Sequence, residues 1–186
     1  MLKNLGSTRL ITLVLTSALT LIAVACSSPG GEVGSKSTDF DINTYQSGGV
    51  REGQQSSLDA VLGQGKPVVL NFWAGDCPPC KAEMPEFEQV WQDYRDDVVI
   101  LGVDIGPFVG LGTYQQASDL LTELEVTYPA GNSEDGGIVN RYNIAGLPTT
   151  LFLTPDGTIT ERDFLALSRA QLARRVDRLL DASQAS

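Results

Sequence analysis

Pro67-Val68-Val69-Leu70-Asn71-Phe72-Trp73-Ala74-Gly75-Asp76-Cys77-Pro78-Pro79-Cys80-Lys81-Ala82-Glu83-Met84-Pro85 holds a change of periodicity and a cysteine pair within a few residues of each other. The β-branched and aromatic run to Trp73 has the length and composition of a buried central strand. Pro78 and Pro79 suit the first turn of a helix, where a missing N–H is not needed. Met84, Phe87, Trp91 and Tyr94 then recur at intervals of three or four residues and line one helical face. Pro85 falls inside that helix and predicts a kink. Cys77 and Cys80 therefore sit where a strand becomes a helix. There the positive end of the helix dipole and free N–H groups stabilise a thiolate. Cys77, at the exposed first position, is the expected nucleophile of thiol–disulfide exchange, and Cys80, one turn inward, the expected resolving thiol.

Other readings of the pair fare worse. Zinc needs about four ligands, and the chain has three cysteines and no histidine. A structural staple closing so short a loop gains only about 2 kcal/mol. Two unrelated buried cysteines belong better in a cytosolic protein than behind an export signal.

The rest of the chain supplies a frame. From Phe40 to Gln55, Gly and polar residues predict short edge strands, and Ser57–Leu62 a short helix. Val98–Val103 is a second apolar strand, and Gly106–Gly112 a glycine-rich loop without a phosphate-binding spacing. Thr113-Tyr114-Gln115-Gln116 has capping-box spacing and opens a helix with Leu120, Leu121 and Leu124. A short strand is expected near Tyr128–Ala130. A short helix is expected over Glu134–Tyr142, with Glu134 and Asp135 at its positive end. Thr149–Leu153 and Thr158–Phe164 flank a Pro155-Asp156-Gly157 hairpin turn. Ser168 caps a last helix that buries Leu172, Val176 and Leu179. This order implies one α/β domain, a mixed central sheet with helices on both faces.

Residues 1–25 read as a secretion signal: Lys3 and Arg9, then the charge-free apolar run Leu10–Ala25. That run is shorter than the roughly 20 residues that span a bilayer comfortably. It ends in Ala23-Val24-Ala25-Cys26, which resembles the bacterial lipobox and marks Cys26 for lipidation. An uncleaved anchor, or a cut after Ala25 without lipid, would export the domain equally. Residues 26–39, rich in Ser and Gly, read as a flexible tether, and 40–186 as the folded domain. The 23 acidic against 13 basic side chains argue against nucleic acid as partner. With no histidine, there is no imidazole base or ligand.

The segment Asn71–Pro85, together with Gly146-Leu147-Pro148-Thr149-Thr150-Leu151-Phe152-Leu153, resembles thioredoxin-like thiol:disulfide oxidoreductases of the TlpA/ResA kind, from about Phe40 to the C-terminus. The resemblance implies a thioredoxin-like fold, Cys77–Cys80 as the redox disulfide, and Pro148 as a cis proline facing it. It also implies that the Leu147 backbone pairs with an extended client segment. Glu83 matches an acidic residue that tunes proton transfer near the dithiol; a solvated helix face explains it equally well. Trp73 falls beside the dithiol, as packing or as a substrate contact. One departure is Asp76, where many relatives carry Trp. A carboxylate next to Cys77 disfavours its thiolate, and Pro79 removes an N–H the sulfur could use. A poorly stabilised thiolate makes a reducing couple.

The expected protein is thus an exported, lipid-anchored reductase of client disulfides, without cofactor or metal. A membrane thiol donor would re-reduce it, and cytochrome c maturation is among its candidate settings. A Cu(I) chaperone using the same cysteines lacks nearby His and has only Met84 as thioether. A thiol peroxidase with Cys77 as peroxidatic thiol lacks a recognisable peroxide-binding motif.

Overall fold

The computed structural model describes residues 31–46 and 55–184. The expected signal, Cys26 and the first part of the tether lie outside the described residues. Seven strands form one sheet in the order β2-β1-β5-β4-β3-β6-β7. The central strand β3 (Val68–Trp73) lies parallel to β4 (Val99–Asp104), which lies parallel to β5 (Ala130–Asn132). On its other side β3 pairs antiparallel with β6 (Thr149–Leu153), and β6 with β7 (Ile159–Asp163). At the far edge β1 (Asp41–Gln46) pairs antiparallel with β5, and β2 (Gln55–Ser57) antiparallel with β1.

Every residue of β3 and β4 is buried, because helices cover both faces of the sheet, as strands with continuous apolar runs require. Alternation sorts their side chains. Val69, Trp73, Ile100 and Phe152 join one core with α2 (Pro78–Tyr94), α4 (Tyr114–Glu123) and α6 (Arg169–Gln184). Leu70, Phe72, Leu101 and Leu151 join a second core with α1 (Leu58–Leu62) and α5 (Ile138–Arg141). The same period of two places Asn71 on the α2 face, the one polar side chain of an otherwise apolar strand.

Several expectations are refined. The Gly106–Gly112 segment contains a one-turn helix, α3 (Gly106–Val109), stopped by Gly110 at φ +70°, a left-handed position that glycine occupies without strain. Helix α5 begins at Ile138 rather than Glu134, because Asp135 closes a turn of its own. Its carboxylate accepts the Gly137 N–H at 2.8 Å and pairs with Arg141 at 2.7 Å. The capping box at Thr113 is present in both halves. At Ser168, Gln171 Oε1 accepts both the backbone N–H and the hydroxyl. Helix α2 continues through Pro85 to Tyr94.

The end of the expected tether is not free of the fold. Gly34 N–H donates to Ile159 C=O (2.8 Å), Ile159 N–H to Ser35 C=O (3.0 Å), and Ser37 N–H to Gly157 C=O (2.8 Å). Tyr142 exchanges hydrogen bonds with the backbone of Thr38. The reason lies in the sheet. β7 is an edge, and its unpaired backbone groups are met by this neighbouring stretch, a contact that Ser and Gly composition does not announce.

Gly131 lies between β1 and β4, and a Cβ there would stand 2.4 Å from the Asn43 carbonyl oxygen. Gly131→Ala is expected to lower stability by about 1–3 kcal/mol through overpacking, read as a lower urea midpoint with an unchanged m-value.

Candidate active site

The redox turn grows from the C-terminal end of β3. Cys77 is the N-cap of α2, and its Sγ accepts the Cys80 N–H at 3.4 Å. Pro78 and Pro79 fill the first two helical positions and bring no N–H, so of the first three helical residues only Cys80 offers an amide to the sulfur. The two cysteines are joined by a disulfide with Cα atoms 5.3 Å apart. Cys77 N–H donates back to Ala74 C=O at 3.3 Å, closing the turn. Gly75 lets α4 approach, since a Cβ there would lie 2.7 Å from the Ala117 nitrogen.

Cys77 was expected at an exposed position, but it is only 2% exposed and Cys80 is fully buried. Both cysteines belong to the apolar cluster that α2 shares with α4 and α6, while Asp76, Pro78 and Pro79 stand in solvent. Trp73 differs too. Its indole is fully buried in the same cluster, so it packs beneath the turn instead of lining an open surface.

The peptide bond between Leu147 and Pro148 is cis, as the resemblance implied. The register Phe72↔Thr149 sets Pro148 just before β6, level with the end of β3 from which the redox turn departs. Leu147 is partly buried against the cluster that holds both cysteines.

Glu83 lies one turn beyond Cys80, at the i, i+3 spacing that makes helical residues neighbours. It is 2% exposed, so the solvated-face alternative falls away. Its Oε1 accepts from Asn71 Nδ2 at 2.9 Å and its Oε2 from the Leu167 N–H at 3.1 Å. Asn71 Nδ2 also donates to Thr150 Oγ1 at 3.0 Å. Burial pushes the Glu83 carboxyl up to about 7, against the weaker opposing effect of the two hydrogen bonds. Asn71, Thr150 and Leu167 were not foreseen. The available signal was a lone polar residue amid an apolar strand, whose parity points it at the helix carrying Glu83. Met84 is 1% exposed and packed in the core, so among the described residues no accessible thioether stands beside the pair.

The profile of the AhpC/TSA family matches residues 33–162. Thiol-disulfide oxidoreductase ResA of Oceanobacillus iheyensis is 33% identical over 129 residues, covering 69% of this chain and 63% of that protein. Sporulation thiol-disulfide oxidoreductase A of Bacillus subtilis is 27% identical over 113 residues, covering 61% of this chain and 68% of that protein. The crystal structure of StoA from Bacillus subtilis superposes with a TM-score of 0.61 at 24% identity, covering 75% of this chain and 96% of that one. That likeness bears on the fold.

The raised Glu83 value has a consequence for stability. Below about pH 4.5 the carboxyl is protonated in folded and unfolded chains alike. Between about 4.5 and 7 the unfolded chain ionises first, so folding loses free energy as pH rises, by about 3 kcal/mol in total, and no more above 7. Chemical denaturation of the oxidised protein at pH 4.5 and pH 8 should show a decline, to which buried Asp104, pushed up to about 6, adds in the same direction, and Glu83→Gln should lessen it by about 3 kcal/mol.

Proposed function

Because the chain belongs to the AhpC/TSA family, among its thioredoxin-like thiol–disulfide oxidoreductases, we propose that it is an exported, lipid-tethered reductase of client-protein disulfides acting through Cys77 and Cys80. The observation that carries this reading is the disulfide-linked pair at the start of α2, with Cys77 Sγ as the helix N-cap. In the reduced protein, the Cys77 thiolate attacks one sulfur of a client disulfide. A mixed disulfide forms and the client's other sulfur leaves as thiolate. Glu83, poised near 7, accepts the Cys80 proton. The Cys80 thiolate then attacks Cys77 Sγ, expels the client's second thiolate and leaves the intramolecular disulfide. Two electrons pass to the client, and a membrane thiol donor returns the pair to the dithiol.

The direction follows from what the sulfur lacks. One helix amide reaches Cys77, where prolines have removed two others, and the Asp76 carboxylate is its neighbour in sequence. Both features leave the thiolate poorly stabilised, and so favour the disulfide over the dithiol. A client enters as an extended segment whose backbone pairs with Leu147 beside Pro148. Paired cysteines in an unfolded chain, such as those of apocytochrome c, suit that entry. Export by residues 1–25 and a lipid on Cys26 supply the location. Among the described residues no helix is long and apolar enough to cross a membrane.

Three measurements test this. Cys80→Ser should accumulate a covalent adduct on Cys77 that thiol reductant releases, and mass spectrometry of the adduct names the client. The reduction potential should lie nearer about −270 mV than about −120 mV, and a value at the oxidising end would reverse the direction. Cys26→Ser should move the protein from the membrane to the soluble fraction.

A further inference from the structure

Asp104 ends β4 with a fully buried carboxylate, and none of the ion pairs among the described residues involves it. Two donors meet it. The Gly106 N–H reaches Oδ1 at 2.9 Å, and the Tyr45 hydroxyl, arriving from β1, reaches Oδ2 at 3.1 Å. Burial pushes its carboxyl up to about 6, more than these bonds pull it down. The other ionisable group facing it is Tyr114 of α4. A carboxylate held in the interior without a cation is a costly arrangement, and its partners show what it holds.

The strand register sets Asp104 opposite Trp73, the last residue before the redox turn. From there the chain wraps around the turn. Ile105 N–H donates to Trp73 C=O at 3.0 Å, Leu111 N–H to Gly106 C=O at 3.0 Å, and Asp76 N–H to Leu111 C=O at 2.9 Å. Asp104 therefore sets Gly106, Gly106 sets Leu111, and Leu111 sets the amide immediately before Cys77. The parts converge on one point. A Cβ on Gly106 would lie 2.9 Å from the Leu111 carbonyl oxygen, 3.0 Å from Asp104 Oδ1 and 3.3 Å from Ala74 Cβ.

We propose that Asp104 is a positioning residue for the dithiol, holding the Ala74–Cys77 turn in its exchange-competent shape through Gly106 and Leu111. The role belongs to its oxygen as hydrogen-bond acceptor, and it rests on Cys77 being the exchanging thiol.

The test uses the reduced full-length protein with a disulfide-bonded peptide as substrate, and circular dichroism to confirm folding. Asp104→Ala and Gly106→Ala should each lower kcat/KM about tenfold or more, since small misplacements of a reacting group are expensive. Asp104→Asn keeps an oxygen toward Gly106 and should stay within about threefold of the parent protein. The pH profile of Cys77 alkylation should shift in the two Ala variants and return in Asp104→Asn. Parent-like rates and profiles in folded Ala variants would overturn the proposal. So would an Asn variant as slow as Ala, which would assign the effect to charge. Should Asp104→Ala fail to fold, Gly106→Ala decides, together with hydrogen exchange of the Asp76 amide. That amide must be protected in the parent protein and lose protection in Gly106→Ala, and an unprotected amide in the parent overturns the relay. The alkylation profile and amide protection need no turnover. A parent protein without exchange activity would instead count against the functional reading.

Discussion

At the junction of β3 and α2, a strand buried on both faces ends where a helix begins, and the helix's first amides need acceptors. In most proteins a hydroxyl or carboxylate caps such an end. Here the cap is Cys77 Sγ, and the amide it takes belongs to Cys80. One interaction thereby does two things. It satisfies a backbone donor in the interior, and it gives the sulfur the one helix N–H that could stabilise it as a thiolate. The prolines at the next two positions start the helix cleanly while withholding further donors. Fold and chemical poise are set by the same four residues.

Around this junction the structure buries two carboxylates without cations, Glu83 beneath the helix and Asp104 at the end of the adjacent parallel strand. Each is kept by hydrogen-bond donors alone, and burial raises each into the range where a proton can come and go. They sit differently with respect to the dithiol. Glu83 follows Cys80 by three residues on the same helix, the position from which the proposed exchange has it take the Cys80 proton. Asp104 reaches the dithiol only through the backbone of the segment that wraps the redox turn. In the proposed reading one carboxylate moves a proton and the other holds a shape, and the sheet order, which puts β4 beside β3, sets Asp104 next to the strand from which the redox turn departs.

Much of the frame was legible residue by residue. The β-branched run at Val68–Trp73, the capping box at Thr113 and the apolar spacing of α6 are local signals, and local signals survive folding when tertiary packing agrees with them. The one-turn helix at Gly106, the late start of α5 and the docking of residues 34–38 on β7 were not legible. Each depends on a partner distant in sequence, on a competing side-chain turn, or on an edge that exists only once the sheet has formed. The burial of Cys77 and Trp73 belongs with these, because the apolar cluster that holds them draws residues from α4 and α6, far along the chain.

The sequence by itself determined the redox pair, its place at a strand-to-helix transition and the shortage of donors for Cys77, since all three follow from residue types at adjacent positions. Only the tertiary structure decided that Glu83 is buried and bonded to Asn71, that the Leu147–Pro148 bond is cis, and that Asp104 stands behind the redox turn. The reason is physical. A carboxyl's state depends on what excludes water from it, a prolyl bond's isomer on the surroundings that lock it, and a relay on strands brought side by side; none of these is a property of neighbours in sequence.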